Sequence, residues 1–169
     1  MPVKLFAAIL FNRNIQPESI EKTLTDLFSP IENRSDIFPF SHSEYYGDEM
    51  GSDLLKYFVV FQKLIPPEYL ISAKHLSNKV EDVFIESKKT RQVNIDPGYI
   101  SEAKILLAST KNYDHRIYLG EGIFGDIQLR LRHKQYHEND WTYPDYRLKW
   151  VKDFFMEERN KYHREVHKI

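Results

Sequence analysis

The sequence contains no cysteine. The protein therefore has no disulfide, no thiol nucleophile and no zinc or iron–sulfur site built on thiolates. No long hydrophobic run occurs either: the apolar stretch Leu5–Phe11 is about one strand long, too short for a membrane span, and no signal-peptide pattern follows it. We expect a cytoplasmic protein that has no membrane partner.

The sequence also lacks an excess of charge of either sign. Its 24 basic and 25 acidic residues give a net charge of −1. No long-range field therefore draws the protein to nucleic acid or to an anionic membrane, and we expect neither partner. No motif indicates a particular cofactor or oligomeric state. Aromatic residues are plentiful, and because tyrosine hydroxyls need partners when buried, the 11 tyrosines favour clefts or interfaces.

The apolar pattern predicts a single α+β domain over residues 1–169, with one mainly antiparallel sheet and three main helices packed on it. Helices are expected after Pro17, after Pro66 and from about Arg147, where apolar residues recur at helical spacing. The short apolar segment Lys104–Thr110 fits a strand or a helix equally well. Strands are predicted at residues 5–11, 37–40, 54–64, 115–119 and 126–132, and the segment 93–99 is predicted as a strand that runs into a turn.

Three segments have a distinctive composition. They are Val93–Tyr99 (VNIDPGY), Thr110–Gly120 (TKNYDHRIYLG) and Trp141–Tyr146 (WTYPDY). Together with the start at Lys4–Phe11 and the loop at Tyr45–Gly51, this pattern resembles the prokaryotic family called domain of unknown function 4416, over nearly the whole chain. The resemblance implies no chemistry, because that family has no established activity.

Some members of that family carry the label "GTP-binding protein". A P-loop needs glycines followed by Lys-Ser or Lys-Thr, so that backbone N–H groups cradle phosphates and a hydroxyl holds Mg²⁺. The sequence contains neither such a run nor an Asn-Lys-x-Asp motif. Residues Asp48–Gly51 fit Asp-x-x-Gly, but two fixed residues carry little information. We therefore do not expect a GTPase of the usual kind.

The sharpest local feature is Asp96-Pro97-Gly98-Tyr99. This composition is typical of a turn, because proline fixes φ and glycine accepts positive φ. We expect a turn at the end of a strand. A functional interpretation makes Asp96 a base or a ligand contact at that strand end, with Tyr99 beside it.

A second group places positive and titratable side chains near the start of one strand. Alternation puts Arg116 and Tyr118 on one face, where the guanidinium fork suits an anion; an ion pair with a carboxylate explains Arg116 equally well. Lys111 lies close in sequence. His115 is interpreted either as a hydrogen-bonded histidine at the core edge or as a proton shuttle that works with Asp96.

The segment 141–147 combines large aromatics with an acid and a base. Asp145 is predicted to cap the helix that follows. Trp141 and Tyr143 either cover the sheet or stack on a planar ligand, and Arg147 adds a positive charge. If the loop at residues 45–51 meets the segment 141–147 in space, Tyr45, Tyr46 and Glu49 form the opposite wall of a ligand cleft.

Two histidine pairs have the spacing of metal ligands. His133 and His137 follow a strand, where residues four apart do not share a face as they do on a helix. His163 and His167 belong to the predicted carboxyl-terminal helix, but two exposed imidazoles alone make a weak chelate. We predict no metal site.

These features lead to one main hypothesis and two alternatives. The main hypothesis is a polar, aromatic-lined cleft that binds a small anionic ligand, such as a nucleotide or another phosphate-bearing molecule. The alternatives are an enzyme that uses Asp96 and His115 as an acid–base pair, and a non-catalytic module for protein or RNA. The predicted ligand-binding residues are Tyr99, Lys111, Arg116, Tyr118, Trp141, Tyr143, Asp145 and Arg147.

Overall fold

The computed structural model describes residues 1–40, 50, 53–85 and 91–169. Over these residues it forms one open antiparallel sheet of nine strands with three helices, which confirms the α+β prediction. The strands are β1 (Val3–Asn12), β2 (Ile31–Arg34), β3 (Phe38–Pro39), β4 (Leu54–Ile65), β5 (Val93–Ile100), β6 (Lys104–Ser109), β7 (Ile117–Gly120), β8 (Ile123–Arg132) and β9 (Gln135–Glu138). The helices are α1 (Pro17–Leu27), α2 (Tyr69–Val83) and α3 (Lys149–His167), and a 3₁₀ turn spans Pro144–Arg147.

The strand order is β2-β4-β1-β5-β6-β8-β7, with β3 paired to β4 and β9 paired to β8. Strand β1 therefore lies inside the sheet, between β4 and β5, and its first nine residues are all buried. This position explains the unbroken apolar run at Leu5–Phe11, since both faces of β1 are covered. The segment that begins at Lys104, which the sequence left open between strand and helix, forms strand β6.

Helices pack on both faces of the sheet. On one face, Ile9 of β1 shares a buried cluster with Ile20 of α1 and Ala73 of α2. On the other face, Phe6 of β1 meets Phe155 of α3, with ring centroids 4.9 Å apart. Among the described residues, no helix has both the length and the apolar character that a membrane crossing requires.

The predicted turn at Asp96–Tyr99 is wrong, because all four residues lie inside strand β5. Asp96 pairs with Ala8 of β1, and the β1 pairing continues through Tyr99. Pairing with β6 begins only at Gly98. Proline has no N–H to contribute to a ladder, and at Pro97 the described part of the chain gives β5 a partner strand on one side alone. The sheet is therefore open on the β6 side of Asp96.

The strand predicted at residues 115–119 also begins later than expected. The N–H of Arg116 donates to the carbonyl of Tyr113 at 3.0 Å, which is a turn, and β7 begins only at Ile117. The expected sharing of a face by Arg116 and Tyr118 is therefore wrong: Arg116 is 7% exposed and Tyr118 is 61% exposed.

Candidate functional site

The backbone of Ile95 marks the opening between β5 and β6. Its N–H donates to Glu81 Oε1 at 2.6 Å, and its carbonyl accepts from Lys74 Nζ at 3.1 Å. Lys74 and Glu81 are seven residues apart on α2, so two helical turns place them on one face. Because buried backbone groups need partners, these two charged side chains take the place of a neighbouring strand.

A cleft of about 360 Å³ lies at this opening. Its inner wall includes the buried side chains of Lys74, Glu81 and Asp126, and its outer residues include the exposed Lys111 and Tyr143. The remaining lining residues are Asn78, Arg91, Asn94, Asp96, Leu107, Ala108, Ser109 and Thr110.

The two carboxylates beside Lys74 respond to it differently. Asp96 accepts hydrogen bonds from Lys74 Nζ and Asn94 Nδ2, each at 2.8 Å. Burial opposes ionisation of Asp96, but the charge and hydrogen bond of Lys74 outweigh it, and the pKa of Asp96 is lowered. Burial raises the pKa of Glu81, against the opposing effects of Lys74 and the Ile95 N–H.

Replacing Asp96 with asparagine is expected to destabilise the protein by about 1–2 kcal/mol at pH 7, since it removes a charge-assisted hydrogen bond. The folded-state pKa of Asp96 lies below its unfolded value. The stability that the ionised carboxylate adds is therefore fully present above the unfolded pKa. It is lost as pH falls through the folded pKa. Urea unfolding at pH 7 and pH 3 measures this: the gap between wild type and Asp96→Asn should narrow at pH 3.

The matched control is Asp114→Asn, because the Asp114 side chain is 99% exposed. It should change stability little at either pH. If the difference in unfolding free energy between wild type and Asp96→Asn is the same at pH 7 and pH 3, an ionic role for Asp96 is contradicted.

Arg116 does not line the cleft, but it hydrogen-bonds to several residues that do. Its Nε donates to Asp126 Oδ2 at 2.8 Å, and its Nη1 donates to Ser109 Oγ at 2.7 Å and to the Lys111 carbonyl at 3.1 Å. Its Nη2 donates to Tyr143 Oη at 2.7 Å. The guanidinium thus fixes Lys111 and Tyr143 relative to strand β8. All four of these hydrogen bonds go to other residues of the protein. We therefore interpret Arg116 as a residue that stabilises the cleft.

Asp126 is one of the residues of this site that the sequence interpretation missed, together with Lys74 and Glu81. It is 1% exposed, and it accepts a hydrogen bond from Gln128 Nε2 at 2.8 Å. Gln128 Oε1 in turn accepts from the N–H of Tyr143 at 2.9 Å, which fastens the 141–147 segment to β8. Simple alternation along a strand would put Gln128 on the same face as the exposed Arg130. A register shift opposite Ile105 and Leu106 interrupts that alternation and buries Gln128.

His115 and Trp141 lie beside the cleft, not in it. Their rings stack at a centroid distance of 5.0 Å with 14° between planes, and together with Asp114 and Asp140 they line a shallow depression. His115 Nε2 is 3.5 Å from Asp126 Oδ2.

The structure therefore places Asp96 in the cleft and His115 in the depression. The carboxylates near His115 in the structure are Asp114, whose Oδ1 is 3.2 Å from His115 Nδ1, and Asp126. An acid–base role for His115 and Asp96 stays a prediction.

Two predicted ligand residues lie elsewhere on the sheet. Tyr118 packs its ring against Phe124, with centroids 5.3 Å apart, on the outer strand β7. Tyr99 packs into the apolar clusters on the α2 face, and burial raises its pKa. Neither residue lines the cleft.

The acid and the base of the 141–147 segment hold that segment in place. The prediction that Asp145 caps the next helix is wrong: Leu148 precedes α3, and the buried Asp145 pairs with Lys56 Nζ at 2.6 Å. Arg147 donates to the carbonyls of Asn139, Asp140 and Thr142. The facing wall predicted from Tyr45, Tyr46 and Glu49 falls outside the described residues.

These features define a class: an α+β domain whose antiparallel sheet is covered by helices on both faces and opens into a small polar cleft. The family model described as a domain of unknown function, DUF4416, matches residues 1–162 of the 169. The chain belongs to this family, which confirms the resemblance of its three distinctive segments. Neither a curated protein nor a solved structure matches the chain.

Proposed function

We propose that the cleft between β5 and β6 binds a small phosphate-bearing molecule. The observation that carries this proposal is the break in strand pairing at Asp96–Pro97, which leaves a cleft of about 360 Å³ walled by charged side chains. This volume is at the lower end of the range of small-molecule sites, which run from roughly 300 to 1,000 Å³. A ligand the size of a mononucleotide or a sugar phosphate suits it.

The polarity of the lining favours an ionic ligand. Lys74, Arg91 and Lys111 contribute three cations to the cleft, and Ser109 and Thr110 contribute hydroxyls. Arginine and lysine side chains with hydroxyl donors are the groups that recognise phosphate in proteins. An apolar ligand would leave these groups without the solvation that they have in water.

The carboxylates of the cleft do not prevent this binding, because the protein itself neutralises them. Asp96 is paired with Lys74 at 2.8 Å, and Asp126 is paired with Arg116 at 2.8 Å. Glu81 Oε1 accepts a hydrogen bond from the N–H of Ile95, and Glu81 Oε2 lies 3.4 Å from Arg91 Nη1. The acids therefore orient the cations that surround them.

Tyr143 supplies a further donor at the rim. Burial raises the pKa of Tyr143 to about 12, although Arg116 acts in the opposite direction. Because its pKa is raised, the phenol keeps its own proton at neutral pH, while its oxygen accepts a hydrogen bond from Arg116 Nη2. That proton is available for a phosphate oxygen or a ligand hydroxyl, and the ring gives the ligand one aromatic face.

A thermal-shift series tests the proposal directly. Inorganic phosphate, ribose 5-phosphate, AMP and GMP are titrated separately, with adenosine as the uncharged comparison. At least one phosphate compound should raise Tm saturably, since a ligand at 100 times its Kd stabilises the folded state by about 2.7 kcal/mol. Adenosine should have little effect.

Charge reversal then locates the binding. Lys111→Glu puts a negative charge at the rim and should abolish the shift, because it repels the anion. The matched control is Lys22→Glu, an exposed lysine on α1, which should leave the shift intact. If none of the four phosphate compounds shifts Tm, or if Lys22→Glu and Lys111→Glu behave alike, this assignment is wrong.

A further inference from the structure

A second cluster of donor atoms lies where the β5–β6 turn meets the end of α3. His163 and His167 are four residues apart on α3 and share one face of the helix. Glu102, in the turn, points its carboxylate at both imidazoles: His163 Nδ1 is 2.8 Å from Oε1, and His167 Nε2 is 3.0 Å from the same oxygen. The three ligand atoms lie within 4.8 Å of one another.

Arg159 orients the carboxylate of this cluster. Its Nη2 donates to Glu102 Oε2, and its Nε donates to the Glu102 carbonyl at 3.2 Å. These contacts hold the turn against α3 and leave Oε1 directed at the histidines. Outer partners of this kind fix the orientation of ligating carboxylates in metal sites.

We propose that Glu102, His163 and His167 bind one Zn²⁺ ion. Two imidazoles and one carboxylate suit Zn²⁺, which commonly takes three protein ligands and one water. The ion would replace the hydrogen bonds that the imidazoles now make to the Glu102 carboxylate, which include one from His163 Nδ1 to Oε2 at 3.0 Å, and Arg159 would remain on Oε2. The three side chains are 30–42% exposed, so an ion can reach them from solvent.

This site is separate from the phosphate cleft. Glu102 lies in the turn after β5, and the four residues of strand from Asp96 to Ile100 alone span roughly 13 Å. His163 and His167 also lie beyond residue 162, where the family match ends. The zinc proposal therefore rests on the geometry of this chain alone, and it does not depend on the proposed ligand of the cleft.

Calorimetric titration of chelator-treated protein with Zn²⁺ tests the site. Wild type should bind one equivalent saturably, and the ring NMR signals of His163 and His167 should shift together. The double variant His163→Ala/His167→Ala should lose this binding. Glu102→Gln keeps the size of the side chain and should weaken it at least about tenfold. Unfolding in the presence of chelator confirms that each variant folds.

The second histidine pair is the matched control. His133 and His137 have the same spacing, but they occupy the turn and strand of the β8–β9 hairpin, where both are exposed. The variant His133→Ala/His137→Ala should bind Zn²⁺ like wild type. Absence of saturable binding to wild type, or its survival in His163→Ala/His167→Ala, overturns the proposal. Unchanged affinity in Glu102→Gln overturns the three-ligand site.

Discussion

Gly98→Ala is expected to destabilise the protein by about 3 kcal/mol or more. A Cβ atom at this position would lie 2.4 Å from the carbonyl oxygen of Leu106 and 2.6 Å from the ring of Phe6. The oxygen belongs to the backbone of β6, which pairs with β5 at this point. The ring is fully buried against Phe155. Neither neighbour can move without disturbing the sheet or the α3 face of the core.

Urea unfolding followed by far-UV circular dichroism measures this loss. Gly125→Ala is the matched control, since Gly125 is also buried in a strand of the same sheet. A Cβ there would meet side-chain ends of Leu119 and Leu106 at 3.3–3.4 Å, and these can shift. We expect a cost of about 1 kcal/mol or less for the control. Similar losses for the two variants would show that the close approach of β6 to Gly98 is wrong.

Arg116→Met is expected to destabilise the protein by about 3–5 kcal/mol, because it leaves a charge buried without its main partner. Asp126 is 1% exposed, and its remaining partners among the described residues would be Gln128 and the more distant His115. The same change removes the bonds that hold Ser109 and Tyr143 at the cleft. Any thermal shift caused by a phosphate ligand should therefore shrink as well.

Arg34→Met is the control for this second prediction. Arg34 pairs with Glu21 at 3.0 Å, but it is 51% exposed, so its loss should cost about 0–1 kcal/mol. Adding Asp126→Leu to Arg116→Met should restore part of the lost stability, since it removes the unpaired buried charge. Equal costs for Arg34→Met and Arg116→Met would contradict the supporting role of Arg116.

Part of the candidate site was visible in the sequence. Asp96, Lys111 and Tyr143 line the cleft, and Arg116 supports it from behind. Their functional roles stay predictions. The contribution of α2 was not visible, because Lys74 and Glu81 interrupt its apolar stripe and resemble residues of a solvated helix face. They are buried only because the sheet is open beneath them.

The sequence by itself determined the fold class, the three helices and the family. The family follows from the resemblance of the distinctive segments. The fold class and the helices follow from local signals: helical spacing of apolar residues, proline at helix starts and a fully apolar inner strand. Such signals act within a few residues and need no knowledge of the rest of the chain.

Only the tertiary structure decided where the cleft lies. Asp96–Tyr99 has the composition of a turn, yet pairing with β1 holds it extended, and the missing N–H of Pro97 lies where β6 has parted from β5. The burial of Asp126 and Gln128 likewise depends on a register shift against β6. Strand pairing joins residues far apart in sequence, so its gaps and shifts leave no local pattern from which they could be predicted.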